Sequence, residues 1–123
     1  MILTIKKRTM EDVTVLELAG RIVMGRDAQD VEWQVRDLLA QQCKKIVFDL
    51  AGVTHMDSTG VGIVAMCAGH LRHSGVELRI AGATGNVEQV LKLTRIDKIV
   101  GFYPTLDAAV ENFASPGGAS VAP

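Results

Sequence analysis

The sequence predicts an α/β fold, a mixed central β-sheet with an antiparallel edge packed with about four α-helices. Three observations predict it. Two β-branched runs near the N-terminus are separated by a short polar stretch, which is a hairpin signal. Four later segments space their apolar residues by three and four, as amphipathic helices do. Between the first and second of these, and between the second and third, stand short apolar runs of strand length.

Ile2-Leu3-Thr4-Ile5 and Val13 to Leu18 are the hairpin runs, with polar Thr9 to Asp12 between them and Gly20 ending the second. Asp27 to Gln42 carries Val31, Val35, Leu38 and Leu39 on one helical stripe, with Trp33 off its centre. Ile46-Val47-Phe48 lacks polar alternation, as expected of a strand covered on both faces, and ends at Asp49. Ser58 to Arg72 reads as a helix with Val64, Cys67, Ala68 and Leu71 on one face and Gly75 as its stop. Val76 to Ile80 is the next strand. Thr84 to Leu93 repeats the helical spacing through Val87, Val90, Leu91 and Leu93. After a short apolar segment at Ile99-Val100, Thr105 to Phe113 does so again, with Thr105 as N-cap.

A chain of 123 residues can bury one core but not two. We expect one domain over residues 1–114. The small, turn-rich run from Ser115 to Ser120 predicts a flexible C-terminal tail over 115–123.

Thirteen basic against fourteen acidic residues leave a net charge of −1, so no global field draws a nucleic acid. Lys6-Lys7-Arg8 and Lys44-Lys45 are short and read as surface. Cys43 and Cys67 have no framework spacing, and Met1 to Thr4 does not resemble a secretion signal, so a cytoplasmic location is expected. The uncharged stretch Ser58 to Gly69 falls short of the ~20 apolar residues that span a bilayer, so no membrane span is expected.

Asp49 to Gly62 links a buried strand to a helix through what reads as a polar turn, the place where α/β folds put their sites. Ser58 stands at the N-cap position, and the amides of Thr59, Gly60 and Val61 lack partners within the helix. The plain interpretation is that Ser58 only caps; the functional one is that an anion on Ser58 suits those amides. Two features favour function. From Ser58 to Gly69 there is no charged side chain, and Gly62, Ala65, Met66 and Gly69 lie opposite Val64 and Leu71. In so short a chain that side is expected to be an exposed apolar patch, internal packing being the alternative. Gly60, Gly62 and Gly69 each weaken a helix by roughly 0.5–1 kcal/mol relative to Ala, which suggests close backbone approach.

Asp49-Leu50-Ala51-Gly52-Val53 followed by Met56-Asp57-Ser58-Thr59-Gly60-Val61-Gly62 resembles the signature of STAS domains, especially bacterial anti-sigma factor antagonists. Supporting stretches are Leu18 to Ile22, Leu91 to Ile96, Phe102 and Leu106 to Ala109, so the resemblance runs from Ile2 to about Phe113. It implies a single STAS-type domain that is not an enzyme and needs no cofactor. It further implies a partner that is both anti-sigma factor and serine kinase, a phosphatase that reverses it, and release of a sigma factor for transcription. Ser58 is the implied phosphorylation site, with Asp57 positioning its hydroxyl. The implied partner surface is Asp57, Ser58, Thr59, Gly60, Val61, Gly62, Ala65 and Met66. The alternative within the family is a scaffold or accessory subunit, stressosome-like or of a lipid-transport complex, that binds without phosphorylation. Where the family often has an acidic residue, this chain reads Val23-Met24-Gly25-Arg26 before Asp27.

Other chemistries fit less well. A nucleophile elbow wants Gly two residues before the serine, where Met56 stands, and His70 lies about 18 Å along the same helix. Cys67 and His70 share a helical face but His73 has rotated away, so no metal is expected. Gly82 to Asn86 lacks the lysine and glycine order of a phosphate loop.

Overall fold

The computed structural model describes residues 3–22 and 26–114. The N-terminal hairpin folds through a two-residue turn at Glu11 and Asp12. Its strands β1 (Thr4–Met10) and β2 (Val13–Ile22) pair antiparallel from Met10↔Val13 to Thr4↔Ala19. Ile2, expected in the first run, lies outside the described residues, and β1 takes in Lys6-Lys7-Arg8. It is an edge strand, where charged side chains reach water and discourage further pairing. Arg8 Nε lies 3.2 Å from Glu17 Oε2 across the pair.

After the hairpin come α1 (Arg26–Ala40), β3 (Lys45–Met56), α2 (Ser58–His73), β4 (Glu77–Ala81) and α3 (Gly85–Leu93). A short 3-10 turn at Ile96–Lys98 leads to β5 (Gly101–Tyr103) and α4 (Leu106–Ala114). Among the described residues the strands form one sheet in the order β1-β2-β3-β4-β5, with β2 to β5 parallel. The mixed sheet, antiparallel edge and four helices match the expected fold. Thr105 caps α4, its Oγ1 accepting from the Ala108 N–H at 3.1 Å. Residues 115–123, expected as a tail, lie outside the described residues.

Three departures from expectation have a clear physical reason. β2 does not end at Gly20 but runs to Ile22, and β3 does not end at Asp49 but runs to Met56. The two pair to their ends with register shifts between Glu17/Ala19 and Gly20/Arg21, so that β3 carries two more residues than β2 over this stretch. Such bulges break the period of two: the β3 residues buried in the main core fall at Ile46, Phe48 and Leu50, then at Val53 and Met56. A run with that spacing does not look like a strand in the sequence. The third difference is β5, three residues whose pattern is too short to register, paired to β4 through Arg79↔Gly101 to Ala81↔Tyr103.

The main core lies between α1, α2 and α3 and one face of the sheet, with Leu16, Leu18, Phe48 and Leu50 under Val31, Val35, Leu38, Val64, Leu71 and Leu91. Burying each such side chain contributes roughly 1.5–3 kcal/mol. A smaller cluster on the opposite face packs Val13, Val15, Val47 and Ala81 against Ala109 and Val110 of α4. Arg79 of β4 sits in that layer at 1% exposure. Its Nη2 is 2.8 Å from Glu77 Oε2, its Nη1 donates to the Ala109 carbonyl at 3.1 Å, and its guanidinium lies 5.1 Å from the centre of the Tyr103 ring. This buried charge thereby fastens α4 to the sheet. Leu93, counted on the apolar stripe of α3, is 81% exposed at the helix end.

Candidate functional site

The long β3 carries the chain past the end of β4 and delivers it to α2 beside the end of β2. Asp49 to Met56 is thus an extended strand, not a polar turn, and the only break before the helix is Asp57. Asp57 is the N-cap. Its backbone is extended, with φ −91° and ψ −177°, and its Oδ1 accepts from the Gly60 N–H at 2.8 Å. The Asp57 N–H donates to the Ile22 carbonyl at 3.4 Å, and the Asp57 carbonyl accepts from the Val61 N–H at 2.9 Å.

This corrects the expected role of Ser58. Ser58 is the first residue of the helix and not its cap, because the backbone is still extended at Asp57 and the Asp57 carboxylate takes the Gly60 amide. Its side chain is left exposed at the positive end of the α2 dipole. Thr59, next along, is half-buried.

Gly60 and Val61 are buried. A Cβ on Gly60 would lie 2.1 Å from the Ile22 carbonyl oxygen and 3.0 Å from Met56 Cγ, so this glycine lets the helix start press against β2. Gly62 and Gly69 are different: both are exposed, and a Cβ on either would meet nothing within 4 Å. Close approach thus accounts for one of the three glycines.

Ser58, Gly62, Met66 and Gly69 line up along the solvent side of α2, with half-buried Ala65 beside them and Met66 42% exposed. The uncharged side of the helix faces water. Basic side chains appear only in the last turn, His70, Arg72 and His73, where they meet the negative dipole end. Beside this crest a cleft between α1 and α2 is lined by Glu32, Val35, Arg36, Leu39, Met66, Cys67 and His70. Burial, and secondarily the nearby Glu32 carboxylate, pushes the Cys67 thiol up to about 12, so it serves as a neutral core side chain. Among the described residues no three His, Cys, Asp or Glu side chains are grouped to hold a metal ion, and no helix is long and apolar enough to cross a membrane.

Sequence reasoning missed the cap by one residue and missed Arg21 and His55, which pair across the ends of β2 and β3 next to the site. The capping preference of aspartate was the available signal, masked by the equally good serine after it.

The STAS domain family model matches residues 4–109. A Thermotoga maritima protein named as a candidate anti-sigma factor antagonist is 30% identical over 104 residues, covering 85% of this chain and 92% of that protein. The crystal structure of a candidate anti-sigma factor antagonist from Thermotoga maritima superposes with a TM-score of 0.81 at 25% identity, covering 90% of this chain and 95% of that one. The Bacillus cell fate determinant SpoIIAA, solved in its phosphorylated form, superposes with a TM-score of 0.71 at 14% identity, covering 89% and 99% of the two chains, a likeness of fold.

Proposed function

Since the chain belongs to the STAS domain family, we propose that it works as an anti-sigma factor antagonist, a non-catalytic cytoplasmic protein whose binding is switched by phosphorylation of Ser58. The partner would be an anti-sigma factor with serine kinase activity, opposed by a serine phosphatase. The observation that carries this reading is the pairing of an exposed hydroxyl, relieved of capping by Asp57, with an uncharged crest running from it to Gly69. A hydroxyl one residue inside a helix can reach a kinase active site without the helix first unwinding. A crest without charges can be covered by a partner without stripping water from ionised groups.

The partner surface in this reading consists of the exposed or half-buried Asp57, Ser58, Thr59, Gly62, Ala65 and Met66. Gly60 and Val61 belong to it as the buried residues that hold the crest in place. In the phosphorylated state the added group brings about −1.5 to −2 charges onto this surface. Covered by a partner, such a charge without compensation costs several kcal/mol, a hundredfold or more in affinity.

The reading is tested with a purified kinase-type anti-sigma factor, ATP and Mg²⁺. The Ser58 oxygen bonds to the γ-phosphorus, the bond from that phosphorus to the β,γ-bridging oxygen breaks, ADP leaves, and the hydroxyl proton passes to the kinase. Mass spectrometry should find one phosphate, on Ser58. Labelling of Thr59 alone, or unchanged labelling of Ser58→Ala, contradicts the assignment.

A further inference from the structure

We propose that Asp57 keeps its hold on the first turn of α2 when Ser58 carries a phosphate, so that the phosphate is held outward instead of being drawn onto the helix amides. The inference rests on the reading of Ser58 as the modified residue and concerns how that modification is displayed. Asp57 is pinned at three points: its N–H on the Ile22 carbonyl, its carbonyl on the Val61 N–H, and its Oδ1 on the Gly60 N–H. Its extended backbone is the ordinary conformation of a cap and carries no strain that a competitor could release. Gly60, which supplies the contested amide, is wedged against β2 and cannot turn that amide elsewhere.

A phosphate tethered to Ser58 therefore meets an amide already taken by a carboxylate. Two anions repel, and only the phosphate, on an exposed side chain, is free to move away. Asp57 is in this sense a positioning residue: it leaves the hydroxyl free before phosphorylation and turns the phosphate toward the partner afterwards. Among the described residues, the other charged groups near α2 are placed differently. Arg21 and His55 are exposed on the two strands that end here, and Glu32 and Arg36 of α1 face α2 beside Met66 and His70, about two turns from Ser58.

The test uses the full chain with phosphoserine installed at position 58 through a suppressor tRNA, so no kinase is needed. Phosphorus and amide NMR spectra are followed from about pH 5 to 8, the range in which phosphoserine loses its second proton. Imidazole titrates in an overlapping range, so the series is repeated in a His55→Gln background. The Gly60 amide signal should stay nearly still while the phosphate titrates. Asp57→Asn, which also caps, should lower the phosphate midpoint by about half a pH unit, because a carboxylate some 5–6 Å away in water is removed. Asp57→Ser repeats the measurement with a second capping residue. A Gly60 amide that moves in step with the phosphate, or a midpoint indifferent to both substitutions, overturns the proposal. Failure of the Ser58 reading is separate: a kinase that labels another residue leaves this titration unchanged.

Discussion

Replacing Gly60 by alanine adds one methyl group and should be among the most damaging small changes in the chain. The new carbon would stand 2.1 Å from the Ile22 carbonyl oxygen, whereas carbon and oxygen ordinarily approach no closer than about 3.3 Å. Helix start and β2 end must part by more than about 1 Å. That overpacking costs about 1–3 kcal/mol. The same movement pulls the Gly60 amide off Asp57 Oδ1, and loss of a cap costs about 0.5–2 kcal/mol more. Alanine returns about 0.5–1 kcal/mol of helix propensity. The net is a loss of about 0.5–4.5 kcal/mol, centred on about 2.5 kcal/mol, or roughly 10 °C in thermal midpoint for a domain of this size. Gly62→Ala is the matched control, since a Cβ there meets nothing within 4 Å and only the propensity gain applies. Thermal unfolding of both variants beside the parent, followed by circular dichroism, decides the matter. If Gly60→Ala melts within 2 °C of the parent, or Gly62→Ala is destabilised comparably, the wedge at the start of α2 is wrongly described.

Other outcomes follow from the same geometry. Met66→Glu or Gly62→Arg should leave the melting curve near that of the parent yet weaken partner binding at least tenfold in calorimetry; unchanged affinity in a folded variant would remove the crest from the interface. Asp57→Ala should cost about 1 kcal/mol in urea unfolding, while Asp57→Asn stays within a few tenths, because asparagine caps as well as aspartate. Cys67 carries a thiol raised from 9.0 to about 12 by burial, so the folded state keeps a proton that the unfolded chain releases. Stability from this group is full below about pH 9 and is lost as pH rises toward 12. The stability profile of Cys67→Ala should be flatter over that window, and an equal slope would argue against a buried neutral thiol.

What was legible in the sequence follows the regularity of its periods. α1, α2 and α3 bury side chains at three-and-four spacing, and each was placed within a few residues. Ile46 to Phe48 was placed as a strand because it is uniformly apolar. The remainder of β3 was not, because bulges shift its buried positions from every second residue to every third, at Val53 and Met56, and its pairing partner is set by the register with β2. The cap of α2 was placed one residue too late. The helix start was plain, but Asp57 and Ser58 are equally good caps, and only the contacts of Asp57 with Ile22 and Gly60 decide between them. Exposure of the α2 crest was inferred from chain length and the absence of charges, and Gly62, Met66 and Gly69 do face water.

The central claim is that phosphorylation of Ser58 acts on binding and leaves the fold alone. Its most direct test compares the unmodified chain with the chain phosphorylated at Ser58, by thermal unfolding and by calorimetric titration with a kinase-type anti-sigma factor. A phosphate displayed outward near Asp57 in water meets a repulsion of only on the order of 1 kcal/mol, so the two midpoints should agree within a few degrees. Covered by a partner, the same charge should lower affinity a hundredfold or more. Equal affinities for the two forms, or a phosphoprotein that unfolds far more readily, would contradict the account.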